Sequence, residues 1–152
     1  MKTLSAAILF LACLALSAKG YEQKICQLVS GKEYEGAILR FDGPTSWEWI
    51  PTEDDIAPME AVLAKYVQSA QQVKGTKIPS HLNEYIRYYS GVVRNGQRLL
   101  YVHFAHNSDE HVKNGMWRKT PFSVKGGGDN YFLVTYDIKE RRFVELVVNA
   151  PK

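Results

Sequence analysis

Cysteine is nearly absent: the chain has 152 residues and two cysteines, Cys13 and Cys26. Neither a disulfide framework nor a cysteine-rich zinc module can be built from that pair. An excess of one charge is missing too. The formal charge is +3, and losing Lys2 and Lys19 leaves 17 Lys+Arg against 16 Asp+Glu in residues 21–152, a balance near +1. Such a balance predicts no nucleic-acid partner and no acidic membrane, both of which call for clustered basic residues. Long apolar runs are also scarce. With 45% hydrophobic and 23% charged residues, the composition is that of one ordinary globular domain.

The single long apolar run lies at the start. Lys2 precedes Leu4 to Leu16, a stretch of the length of a signal-peptide core and short for a bilayer span. Ala18-Lys19-Gly20 before Tyr21 follows the small-x-small pattern of a signal-peptidase site, and Ala15-Leu16-Ser17 before Ala18 is a second choice. Residues 1–20 therefore read as a signal peptide and residues 21–152 as a single domain, exported to a periplasm or secreted. Leu11-Ala12-Cys13 looks in part like a lipobox. No membrane contact is expected unless Cys13 carries a lipid.

In the remaining chain, Ile25 to Val29 and Ala37 to Phe41 are short strand candidates, broken by Gly31, Gly36 and the Asp42-Gly43-Pro44 turn. Trp47 and Trp49, two residues apart, share one face of an extended segment. Thr52 with Asp55 three residues later signals a helix start, and Glu53 and Asp54 add negative charge to the positive helix end. Ile56, Met59, Leu63, Tyr66, Val67 and Ala70 then form one apolar stripe ending near Gln71 or Gln72. Tyr85 to Val93 and Arg98 to Ala105 flank Asn95-Gly96, a strong hairpin signal. His106 to Pro121 is a polar connection. Tyr131 to Tyr136 and Arg142 to Asn149 form a second hairpin, with Phe132, Val134, Tyr136, Val144, Leu146 and Val148 toward the core. These elements predict an α+β domain in which one amphipathic helix packs on a four-stranded or larger antiparallel sheet, leaving the other sheet face free.

Two resemblances follow from these residues. Trp49-Ile50-Pro51 ahead of Asp55-Ile56, then Tyr85-x-Arg87-x-Tyr89-x-Gly91, Gly126 to Phe132 and the closing Phe143 to Ala150 resemble a family of small exported bacterial proteins with no established activity. The likeness spans Trp49 to Ala150. The order of elements is also similar to the cystatin fold, an analogy of architecture alone.

Few patterns carry chemistry. Gln71-Gln72-Val73-Lys74-Gly75 matches the Q-x-V-x-G motif of cystatins, but the helix runs directly into it and leaves no room for the strand that precedes the motif there. His103, His106 and His111 flank Asp109 and Glu110, yet on a regular strand His103 and His106 point to opposite faces, so no metal ligand is assigned. The glycines 126–128 feed a strand, whereas a phosphate loop feeds a helix. They read as a turn or bulge, able also to admit a partner's backbone. Cys26 reads as a buried strand residue, no serine elbow is present, and no carboxylate pair is spaced for acid–base work. Arg87 shares a strand face with Tyr85 and Tyr89, as Tyr101 does with His103 on the partner strand. If the two sets align, an aromatic surface with a central cation results, suited to a sugar, a peptide or a carboxylate. The competing structural reading packs these rings under the helix and pairs Arg87 with a carboxylate such as Glu84.

The sequence thus predicts an exported, non-catalytic binding protein whose partner is a protein, a peptide or a small ligand. No cofactor is called for. An inhibitor of a secreted hydrolase is the rival, with protruding loops at Arg94 to Gln97 and His106 to Met116, and a metal-dependent enzyme is the third reading.

Overall fold

The computed structural model describes residues 23–41 and 48–151. The expectations placed on residues 1–20, Cys13 and Trp47 lie outside them. Strand β1 (Gln23–Ser30) turns into β2 (Glu35–Phe41), and β3 (Glu48–Trp49) precedes helix α1 (Glu53–Ser69). After three 3-10 turns come β4 (Tyr85–Arg94) and β5 (Gln97–His106), the short helix α2 (Glu110–Lys113), then β6 (Tyr131–Asp137) and β7 (Arg142–Val148).

The expectation of one helix on a four-stranded or larger antiparallel sheet of cystatin-like form is overturned. Six strands lie in the order β1-β2-β4-β5-β6-β7, with β3 paired beside β4, and the sheet is mixed because β2 runs parallel to β4. The parallel joint is short, setting Gly36–Ile38 against Arg87–Tyr89. A glycine makes it possible: a Cβ on Gly36 would stand 2.5 Å from the Arg87 carbonyl oxygen, so any side chain there would force the strands apart. The N-terminal segment thereby becomes part of the main sheet.

Helix α1 forms where the sequence signals it. The Thr52 N–H donates to Asp55 Oδ2 at 2.8 Å, closing a capping box, and three acidic residues occupy the first turn. Ile56, Met59, Leu63 and Val67 are buried against Ile38, Tyr89, Leu100 and Val134. Each such side chain taken from water contributes about 1.5–3 kcal/mol. Asn95 and Gly96 take positive φ angles of 51° and 76°, which is what a two-residue turn between twisted strands demands.

Two details differ from the pattern reading. Val144 is 47% exposed instead of facing the core, because a register shift pairs Thr135 with Glu145 but Tyr136 with Phe143. Phe143 takes the inward position, stacking on Tyr66 with ring centroids 4.0 Å apart. The second sheet face is not left free either: the 107–127 connection folds back so that Val112 and Trp117 bury Ala37, Leu39, Ile86 and Tyr88.

Candidate functional site

The expected aromatic surface around Arg87 does not form. Because the two-residue turn sets Arg94 opposite Gln97, odd-numbered positions of β4 meet even-numbered positions of β5. Tyr85, Arg87 and Tyr89 pair with His106, Phe104 and Val102 on the helix side, whereas Tyr101 and His103 pair with Ser90 and Tyr88 on the opposite face.

Arg87 is buried under α1, and its partner is Glu60 rather than Glu84. Its Nε donates to Glu60 Oε1 at 3.2 Å, and the Tyr89 hydroxyl donates to the same oxygen at 2.7 Å. Nη1 donates to the carbonyls of Leu82 and Tyr85, and the guanidinium lies 5.3 Å from the Phe104 ring centre. These contacts satisfy the buried charge and fix the start of β4 to the helix. Burial and the neighbouring Glu60 push the Tyr89 hydroxyl far above its ordinary range, so it stays a donor. His103 is neutral: burial alone pushes its imidazole down to about 4.

A cleft opens where the ladder between β2 and β4 begins. The β2–β4 pairing starts at Gly36 and Arg87, and next to that start a cavity of about 390 Å³ lies between the β1–β2 turn, the residues leading into β4 and the 107–118 segment. Tyr34, Ile86 and Trp117 supply apolar walls, and Lys32, Glu35, Asn83, Glu84, Asn107 and Arg118 supply the polar ones. Arg118 is held in place twice, by an ion pair to Glu35 and by stacking 4.4 Å from the Trp117 ring centre. Beyond that pair a second cavity of about 240 Å³ continues along Leu28 and Ser30. Burial, then the charges of Glu60 and Glu53, raise the Tyr34 hydroxyl above its usual range, so this wall presents a neutral phenol.

Glu84 links the cleft to a chain of polar contacts behind it. Its Oε1 lies 2.8 Å from His81 Nδ1, and its Oε2 lies 3.2 Å from His106 Nε2. The hydrogen bond from His81, with the charges of both imidazoles, holds the Glu84 carboxyl below the ordinary range. Burial lowers the imidazole of His106, with the Lys77 charge acting in the same direction and Glu84 opposing. Ser108 Oγ stands 2.9 Å from His106 Nδ1, which gives the order of a nucleophile, a base and an orienting carboxylate. However, the Ser108 backbone N–H also donates to Nδ1, at 3.1 Å. That bond occupies the single lone pair of Nδ1 and puts the ring proton on Nε2, facing Glu84. The contact is a closed turn and provides no free base.

The remaining motifs take structural positions. Gln71–Val73 is a 3-10 turn after α1 with Val73 buried in the core, so the Q-x-V-x-G residues do not stand at a hairpin tip. His111 Nδ1 and the Tyr131 hydroxyl both reach Asp109, and burial with that hydrogen bond pushes Tyr131 up to about 12. Among the described residues no group of three His, Cys, Asp or Glu is placed to hold a metal ion. Gly126, Gly127 and Gly128 all have positive φ, and the Gly128 N–H donates to the Ala150 carbonyl, so the tract is a turn that ties down the chain end. Cys26 is exposed rather than buried, because β1 is an edge strand with a register shift between Ile25 and Gln27.

Sequence reasoning missed Tyr34, Asn83, Glu84 and Arg118 as a group. They come from three segments, 49 positions apart from Tyr34 to Asn83 and 34 from Glu84 to Arg118, and the parallel joint that assembles them has no local signature. Among the described residues no helix is long and apolar enough to cross a membrane. No family model, curated protein or solved structure matches the chain.

Proposed function

We propose that the chain is an exported, non-catalytic binding protein that holds a short peptide segment in the cleft between β2 and β4. The observation that carries this reading is the position of the cleft. It is lined by the β1–β2 turn, the start of β2 and the residues that open β4, beside the parallel ladder that begins at Gly36 and Arg87, and a cavity of about 390 Å³ falls in the range of ligand sites. Its lining matches a peptide in kind. Asn83 and Asn107 offer amides, which both donate and accept, and Lys32, Glu33, Glu35, Glu84 and Arg118 offer both signs of charge. The closed Ser108–His106 turn favours binding over catalysis. Export rests on the Lys2, Leu4 to Leu16 and Ala18-Lys19-Gly20 pattern.

Calorimetric titration with a pool of mixed-charge tetrapeptides tests the binding claim. Saturable heat is expected from the unaltered protein and none from Asn83→Trp, which fills the mouth of the cleft. Equal heat from both proteins, or none from either, overturns it. Mass spectrometry of the exported protein tests the leader: a start at Tyr21 or Ala18 is expected, and an intact Met1 or an acylated Cys13 contradicts simple secretion.

A further inference from the structure

Two residues of the cleft wall, Glu84 and Asn107, are tied together around one imidazole. His106 ends β5, pairs with Tyr85 across the ladder and is buried. On one side its Nε2 meets Glu84 Oε2 at 3.2 Å, and on the other its Nδ1 accepts the Ser108 N–H at 3.1 Å. The main chain closes the same loop. The Asn107 N–H donates to the Glu84 carbonyl at 2.9 Å, and the Asp109 N–H to the His106 carbonyl at 3.0 Å. Glu84 and Asn107 both line the cavity, so the turn that His106 organises is part of the cleft. The arrangement fits one protonation state. A neutral ring with its proton on Nε2 serves both contacts, whereas an imidazolium also carries a proton on Nδ1 and sets it against the Ser108 N–H, donor against donor. Ser108 Oγ, 2.9 Å from Nδ1, can accept that proton only if the Ser108 N–H gives way and loses its partner.

We propose that His106 is a proton-operated clamp on the cleft, holding the Asn107 wall beside Glu84 when neutral and releasing it when protonated. The clamp rests on the peptide-binding reading only for what the cleft holds; the switch itself is a property of the turn. The surrounding charges set its working range. Lys77 and His81 act on the ring from the turns before β4, Glu84 opposes them, and the Tyr85 ring meets it edge-on with centroids 4.9 Å apart. Lys77 is anchored, its Nζ donating to Asn130 Oδ1 and its backbone N–H to Asp129 Oδ2. Asp109, next to Ser108, accepts from the His111 N–H and the Tyr131 hydroxyl. Burial and the Lys77 charge together favour the neutral ring over the cation. Release therefore falls on the acid side of 6.5, the ordinary value for an imidazole. Binding is full at neutral pH and is lost as the pH falls.

The test is an NMR titration of the isotope-labelled protein from about pH 7.5 to about pH 4.5. The His106 ring is expected to carry its proton on Nε2 at the upper end and to titrate with a midpoint below 6.5. The amide signals of Asn107 and Ser108 should move with that same midpoint. In His106→Asn, whose side-chain oxygen can stand in for Nδ1 and gains no proton in this range, those amides should stay still. His81→Gln, His103→Gln and His111→Gln are each expected to leave the Ser108 response in place. Calorimetry with the mixed-charge tetrapeptide pool reads the consequence. Only the neutral fraction binds, so affinity should fall about tenfold one pH unit below the midpoint, and not in His106→Asn. A proton on Nδ1 at the upper end, a Ser108 amide that ignores the His106 titration, or an equal response in His106→Asn overturns the clamp. So does a Ser108 response with no change in affinity. If the pool binds at no pH, the peptide reading fails, and the amide signals of the unaltered protein alone decide the clamp. They also decide it if circular dichroism shows His106→Asn to be unfolded.

Discussion

Glu60 on α1 and Arg87 on β4 form an ion pair at 3.2 Å whose side chains are 7% and 3% exposed. The pair crosses the helix–sheet interface, and Tyr89 shares the carboxylate. Two consequences follow for stability. Removing one partner leaves a buried charge uncompensated, so Glu60→Gln or Arg87→Met is expected to lose about 3–5 kcal/mol in urea unfolding. The double substitution Glu60→Leu/Arg87→Met is expected to lose markedly less than the sum of the two single changes. Additive losses would show that the two side chains do not act as a pair.

Gly36 sets the parallel joint and thereby the cleft. A Cβ at this position would meet both the Arg87 carbonyl oxygen and the Tyr89 ring, at 2.5 and 2.6 Å. Gly36→Ala is therefore expected to destabilise the protein by about 1–3 kcal/mol, the usual cost of overpacking. It should also move amide signals in both β2 and the start of β4. Gly75→Ala serves as a comparison, because the added Cβ meets nothing within 4 Å and only its positive φ of 82° opposes the change. If only Gly75→Ala disturbed β4, the parallel joint would be misplaced.

His103 makes stability depend on pH. Its folded pKa, about 4, lies below the ordinary value of 6.5 because burial disfavours the cation. Between those values the unfolded chain binds a proton that the folded chain does not. The contribution is therefore complete above pH 6.5 and is lost as pH falls toward 4, by up to about 3 kcal/mol. Urea unfolding at pH 7 and pH 4.5 should show a steeper fall for the unaltered protein than for His103→Gln. Parallel falls would mean that the acid sensitivity comes from the carboxylates.

Local signals in the sequence carry much of this fold. The Thr52–Asp55 cap, the Ile56 to Val67 stripe and Asn95-Gly96 each act within a few residues, so α1 and the β4–β5 hairpin are legible directly. That turn also carries information the face assignment needs: with two residues in the loop, Tyr85, Arg87 and Tyr89 cannot share a face with Tyr101 and His103. The pairing of Gly36 with Arg87 spans 51 positions, and nothing near either residue announces it. The cleft residues were hidden for the same reason. Val144 was misplaced by a single register shift, which reverses inward and outward without changing the apolar pattern.

The most direct measurement of the binding claim is an amide chemical-shift map of the isotope-labelled domain, residues 21–152, during titration with the mixed-charge tetrapeptide pool. Saturable shifts confined to Gly31–Gly36, Asn83–Arg87 and Trp117–Arg118 are predicted. Shifts centred elsewhere, or no saturable shifts at millimolar peptide, would contradict the account.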